Sequence, residues 1–164
     1  MLKAPRLKTL SISHKAHAVM IGPFLEAVKP TVSTLIIHNT LARDGLAPLS
    51  KLSNVEHLLF ARATTIFKLT YSVSDDFFGG LAAPVHSNPG DESPNWIWPK
   101  LSTISLSDRG AFAAGTGQNF LQLVRARTGS KLDDRSTPRR LTSVVIEDTA
   151  SPVWLRDEVK LMFA

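Results

Sequence analysis

The chain of 164 residues contains no cysteine. That excludes disulfides, thiolate metal sites and cysteine nucleophiles. No Asn-x-Ser/Thr acceptor occurs either, and together the two absences point to the cytoplasm or nucleus. A run of about 18 apolar residues, the least that spans a bilayer as a helix, is missing. The opening Met1-Leu2-Lys3-Ala4-Pro5-Arg6 lacks the apolar core of a secretory signal. Neither a Gly-x-Ser-x-Gly elbow nor a Walker sequence is found.

Chemistry-bearing clusters are equally sparse. Of the five histidines (His14, His17, His38, His57, His86), only His14 and His17 stand at i, i+3, with no carboxylate or third histidine at ligand spacing beside them. No metal site and no cofactor is expected. Asp75-Asp76 and Asp133-Asp134 sit in turn-like sequence and are expected to point apart. These shortages argue against an enzyme.

What is present is a recurrent pattern, apolar-x-x-apolar-x-apolar. It occurs as Leu7/Leu10/Ile12, Val32/Leu35/Ile37, Val55/Leu58/Phe60, Leu101/Ile104/Leu106 and Leu141/Val144/Ile146. The first positions are separated by 25, 23, 46 and 40 residues, and a spacing in the twenties with insertions is the mark of a stacked repeat. A breaker precedes each occurrence: Pro5, Pro30, Ser53, Pro99 and Pro138 end one unit before the next extended segment. Helical spacing follows several of them. Ile21, Phe24, Leu25 and Val28 come after the first, Phe120, Leu123 and Val124 after the fourth, and Leu155, Val159 and Met162 after the fifth. Ser151 is the candidate N-cap of the last helix, with Pro152 at its first position. The expected unit is strand, turn, helix, five times.

Leu10-Ser11-Ile12-Ser13 and Ile104-Ser105-Leu106-Ser107 alternate apolar with polar, so one face of the sheet is expected to pack inward and the other to stay open. A parallel sheet covered on both faces would read as continuous apolar runs. Leu35-Ile36-Ile37 and Leu58-Leu59-Phe60 come nearer to that and keep a small doubly wound α/β domain as the alternative. In that alternative a nucleotide or other anionic ligand would bind at Gly115-Thr116-Gly117, ahead of a helix, with Phe120 in the place of a third glycine.

These residues resemble an irregular leucine-rich repeat, and more narrowly the C-terminal part of fungal F-box-type leucine-rich-repeat proteins. The resemblance rests on the five strand cores, on Trp96-Ile97-Trp98-Pro99-Lys100-Leu101-Ser102-Thr103-Ile104-Ser105-Leu106, and on Phe120 to Arg127 followed by a loop and Arg140-Leu141-Thr142-Ser143-Val144. It implies an α/β solenoid over residues 1–164, a single domain with parallel strands on one face and helices on the other. It also implies a non-enzymatic protein-interaction scaffold, the substrate-recognition part of a ubiquitin-ligase adaptor. The family's Asn or Cys would fall at Lys15, Thr40, Ala63, Arg109 and Thr149, so the turns must satisfy their backbone groups by other means. Because the first strand opens within about six residues of Met1 and a solenoid end needs a cap, an F-box-like region is expected upstream of this sequence. The helix from Pro152 to Phe163 is expected to be the other cap.

If the strands align, the open face carries three rows. The first is Thr9, Thr34, His57, Thr103 and Ser143; the second Ser11, Ile36, Leu59, Ser105 and Val145; the third Ser13, His38, Ala61, Ser107 and Glu147. Hydroxyls dominate. Ile36 and Leu59, flanked by His38 and His57, form the candidate anchor for a protein partner.

Two segments stand outside the repeat. Residues 61–95 form an insertion in the place of one lost or degenerate repeat, and its second half, Pro84 to Pro94, reads as an exposed loop. Of Trp96 and Trp98, one is expected inside and one out. Most of the formal charge of +5 falls between Arg125 and Arg140, where Arg125, Arg127, Lys131, Arg135, Arg139 and Arg140 face only Asp133 and Asp134. With no interleaved aromatics and no recognition helix, this stretch reads as a solvated connector rather than a nucleic-acid site.

Overall fold

In a computed structural model, residues 6–13, 18–38, 46–61, 75–84, 95–107, 117–129, 138–147 and 151–164 are described. Strand and helix alternate throughout: β1 (Thr9–Ser13), α1 (Ala18–Val28), β2 (Thr34–His38), α2 (Leu46–Leu49), β3 (His57–Ala61), α3 (Asp75–Ala82), β4 (Thr103–Leu106), α4 (Gln118–Thr128), β5 (Ser143–Ile146) and α5 (Val153–Phe163). The protein is α/β. Its five strands form one sheet in chain order, β1 to β5, and every pairing is parallel.

The register follows the repeat. Leu10, Leu35, Leu58, Ile104 and Val144 lie side by side, as do Ile12, Ile37, Phe60, Leu106 and Ile146. Both rows pack into one core with Leu25 and Val28 of α1, Leu49 of α2, Phe77, Phe78 and Leu81 of α3, Phe120 and Leu123 of α4, and Leu155 of α5. The first apolar position of each repeat joins the same core just ahead of the strand, at Val32, Val55, Leu101 and Leu141. The described helices therefore cover one face of the sheet. Backbone bonds staple each strand entrance to the one before: Thr34 N donates to Lys8 O, His57 N to Ser33 O, Thr103 N to Glu56 O and Thr142 N to Ser102 O, all within 3.1 Å.

β3 and β4 pair directly, and within the expected insertion Asp75–Ala82 form α3, the helix of the third unit. Phe77 and Phe78 are fully buried and meet Phe60 at ring-centroid distances of 5.7 and 5.4 Å; Phe78 meets Phe120 at 4.8 Å. Such aromatic contacts contribute about 0.5–1.5 kcal/mol each beyond area burial. Residues 85–94, the rest of the expected loop, lie outside the described residues. So do Lys15, Thr40, Ala63, Arg109 and Thr149.

α5 begins one residue later than expected. Pro152 is its N-cap, its carbonyl accepting from Leu155 N and Arg156 N, and the Ser151 hydroxyl donates to that same carbonyl instead of accepting from a helix N–H. As a cap α5 buries Leu155 and Val159, yet Val144 and Ile146 of β5 stay half-exposed while their counterparts in β2, β3 and β4 are at most 1% exposed.

Candidate functional site

The face away from the described helices presents the rows anticipated from the repeat. Thr9, Thr34, His57, Thr103 and Ser143 are in register, and so are Ser11, Ile36, Leu59, Ser105 and Val145. Of the third row, Ser13, His38 and Ala61 align, while β4 ends at Leu106 and β5 at Ile146, one residue short of Ser107 and Glu147. Strand alternation alone produces this, because successive side chains leave opposite faces and a parallel register without slip stacks like on like.

Ile36 and Leu59 are direct cross-strand neighbours, and both are half-buried. His57 stands beside Thr34 one row before them, and His38 beside Ala61 one row after. The imidazoles lie at opposite corners of the apolar pair. Each is tied to the next strand outward: His57 Nδ1 shares a 2.7 Å hydrogen bond with Thr103 Oγ1, and His38 Nε2 a 3.0 Å bond with Ser11 Oγ. These bonds limit the rotation of both rings. The result is a small apolar centre with a hydrogen-bonding rim.

Among the described residues no group of three or more His, Asp or Glu is placed to hold a metal ion. His14, His17 and His86 lie outside the described residues. No described helix is long and apolar enough to cross a membrane.

The alternative anion site looks different in three dimensions. Gly115 and Thr116 are outside the described residues, but Gly117 is the N-cap of α4 at φ +113°. Two N–H groups at the start of α4 are already taken: Asn119 N and Phe120 N donate to the two Asp75 carboxylate oxygens at 3.1 and 3.2 Å. Asp75 thus caps a helix 44 positions away and places its negative charge at the positive end of the α4 dipole. The expectation that Asp75-Asp76 sits in a turn is thereby corrected. Both residues lie in the first turn of α3.

The basic stretch is also corrected. Arg127 is no solvated charge: it is fully buried on α4 and donates from Nη1 to Trp98 O (2.9 Å) and from Nη2 to Ile97 O (2.7 Å) and Leu81 O (3.3 Å). Its guanidinium carbon lies 5.4 Å from the Trp96 ring centroid. Burial pushes its pKa down to about 10, still well above neutrality. Arg125 pairs with Glu158 on α5, and Arg139 with Glu56, both on the surface. Lys131 and Arg135 lie outside the described residues.

Of the two tryptophans, Trp98 is fully buried and Trp96 half-buried. Trp98 adopts φ +50°, a region side chains other than glycine seldom occupy. It is held there by its indole N–H, which donates to Leu49 O at 3.0 Å, and by its carbonyl, which accepts from Arg127 and Leu101 N. A cleft of about 640 Å³ opens beside Trp96, between α2 and α3 on the helical side. Compared with protein-family models, curated proteins and solved structures, the chain matches none.

Proposed function

We propose that this chain is a non-enzymatic protein-interaction scaffold of leucine-rich-repeat type, presenting its uncovered strand face to a protein partner. The observation that carries the reading is the cross-strand pairing of Ile36 with Leu59 on the face opposite the described helices, with His38 and His57 at its corners. Three further features support it. The unit of strand plus helix recurs five times, the strand order runs without the reversal that creates a doubly wound ligand crevice, and the α4 N-terminus is closed by Asp75.

The scaffold acts by desolvation and hydrogen bonding. A partner side chain covers Ile36 and Leu59, and the hydroxyl rows with the two imidazoles set its orientation. By its resemblance to F-box-type proteins, the role we assign is substrate recognition within a ubiquitin-ligase adaptor, in the cytoplasm or nucleus.

Ile36→Asp with Leu59→Asp tests the reading. Partner capture by the wild-type chain should be lost in the double variant while circular dichroism and the unfolding midpoint show that the sheet survives. Capture that persists in a folded double variant removes this face from the function, and stabilisation of the chain by nucleotides would move it to the ligand-binding class.

A further inference from the structure

Basic side chains recur where each strand begins. Arg6, Lys29, Lys51, Lys100 and the pair Arg139-Arg140 stand one to four residues ahead of Leu7, Val32, Val55, Leu101 and Leu141, the first apolar positions of the five repeats. All six are exposed, as is Lys8 at the threshold of β1. Because the strands are parallel and in chain order, these turns stack at one end of the sheet, about 4.8 Å apart per strand. Hydrogen bonds tie neighbouring turns together: Asn54 Nδ2 donates to Pro30 O (3.0 Å), Lys100 Nζ to Asn54 Oδ1 (2.6 Å) and Arg139 N to Pro99 O (2.6 Å). The repeat thus becomes a basic rim. At the opposite end the last described residues of the five strand segments are Ser13, His38, Ala61, Ser107 and Glu147, none of them lysine or arginine.

Most of this rim is uncompensated. Its two described acids are engaged, Glu26 by Lys51 at 3.0 Å and Glu56 by Arg139 at 3.8 Å. Arg6, Lys8, Lys29, Lys100 and Arg140 have no salt bridge among the described residues; Lys100 is bonded to a neutral amide, and Lys29 acts on Glu26 through its charge alone. The five fall into two groups. Arg6, Lys8 and Lys29 belong to the first two turns and Lys100 and Arg140 to the last two, with Asn54 and Glu56 between them. Such a rim fits an interrupted anion. A single-stranded nucleic acid carries its phosphates without a gap and draws affinity from stacking on exposed aromatics. Here Glu56 stands in mid-rim, Trp98 is fully buried and Trp96 is half-buried beside the Arg127 guanidinium. A bilayer would want apolar anchors, yet the exposed large apolar side chains among the described residues, Val145, Val153, Trp154, Leu161 and Phe163, belong to β5 and α5. A polypeptide can place carboxylates only where the cations are. From the first turn to the fourth is three strand spacings, about 14 Å, which an extended chain rising about 3.3 Å per residue covers in about four residues.

We infer that the strand-entrance rim is a second interaction surface, which takes an extended segment of a protein partner bearing two acidic clusters about four residues apart. One cluster meets Arg6, Lys8 and Lys29, the other Lys100 and Arg140. The rim uses neither Ile36 nor Leu59, so it stands or falls apart from the open face.

The test is fluorescence anisotropy on the full chain, at about 50 mM salt, with a labelled peptide of two glutamate pairs separated by four serines. The wild type should bind it about fivefold or more tightly than a peptide of equal length whose four glutamates are contiguous, and about 300 mM salt should remove the binding. That comparison needs no variant. Lys8→Glu with Arg140→Glu, one from each group, should weaken binding by about tenfold or more. Lys160→Glu with Arg125→Glu, the same change of net charge made on α5 and α4, should stay within about twofold of wild type, and so should Ile36→Ser with Leu59→Ser. Circular dichroism establishes that each variant is folded. Equal affinity for the two peptides, an equal loss in either control variant, or tighter binding of a single-stranded oligonucleotide or of phosphatidylserine vesicles at equal charge and salt would each overturn the inference.

Discussion

Replacing Arg127 by methionine and by lysine separates the two things this residue does. Its guanidinium pays a desolvation cost that lowers its pKa from the ordinary arginine value to about 10, which at about 1.4 kcal/mol per unit is some 3 kcal/mol against folding. Its fork returns three charge-assisted bonds to the carbonyls of Leu81, Ile97 and Trp98. Methionine keeps the length of the stem and removes both terms. Trp98 O keeps its bond from Leu101 N, so the loss falls on Leu81 O and Ile97 O, about 1–3 kcal/mol each. The relieved desolvation offsets most of this, and the expected destabilisation is about 1 kcal/mol. Lysine keeps a buried charge but, as a point donor, cannot span three carbonyls; Arg127→Lys should cost about 3 kcal/mol. Urea unfolding monitored by circular dichroism gives both values. The pH dependence carries the sign. A depressed folded pKa means that the unfolded state binds more protons between the two pKa values, so stability rises with pH there. For Arg127 that window opens only near pH 10, and its contribution is flat from pH 6 to 9; for the lysine variant the window shifts downward and stability should climb over the same range. A lysine variant as stable as wild type, or less damaging than methionine, would refute the reasoning from the fork.

Other consequences are measurable. Asp75→Ala should cost about 1–2 kcal/mol through loss of the α4 cap, and Asp75→Asn, which keeps one carboxyl-like acceptor, about half; amide exchange at Asn119 and Phe120 should accelerate in both, and unchanged exchange would deny Asp75 its capping role. Gly117→Ala should destabilise by about 2 kcal/mol or more, since φ +113° is strained for any L side chain and the new Cβ would lie 2.7 Å from Leu155 Cδ2; a neutral unfolding midpoint would contradict it. On the surface, Lys51 holds the Glu26 carboxyl below its ordinary 4.5 through a hydrogen bond and its charge. The stabilising part of that pair is present above pH 4.5 and fades as pH falls through the folded value. Lys51→Met should raise the Glu26 titration midpoint in carboxyl NMR, and a midpoint that stays put would exclude the pair as its cause.

How far the sequence reached differs from element to element. The five strands, their register and the split between an inward and an open row were legible because β geometry has a period of two and the repeat recurs without slip, so Leu10, Leu35, Leu58 and Ile104 had to share a face. The pairing of Ile36 with Leu59 was legible for the same reason. α3 was not. Asp75–Ala82 holds two glycines, Gly79 and Gly80, in eight helical residues, poor local helix material, and packing against Phe60 and Phe120 supports it as a helix. The buried state of Arg127 had a signal that charge counting hides: Phe120, Leu123 or Val124, and Arg127 follow the helical period, which puts the arginine on the inward face.

Local pattern, then, determined that strands and helices alternate, where each strand begins and which side chains turn outward, because those depend on neighbours two to four residues apart. Only the tertiary structure decided what fills the helical side and what closes its ends. Asp75 reaches α4 across 44 positions, Arg127 meets carbonyls of α3 and of the Ile97-Trp98 turn, and Val144 and Ile146 are left half-exposed by a helix that covers only part of the last strand. Such contacts join segments far apart in the chain, and no local spacing encodes which carbonyl or which helix end a given side chain will find.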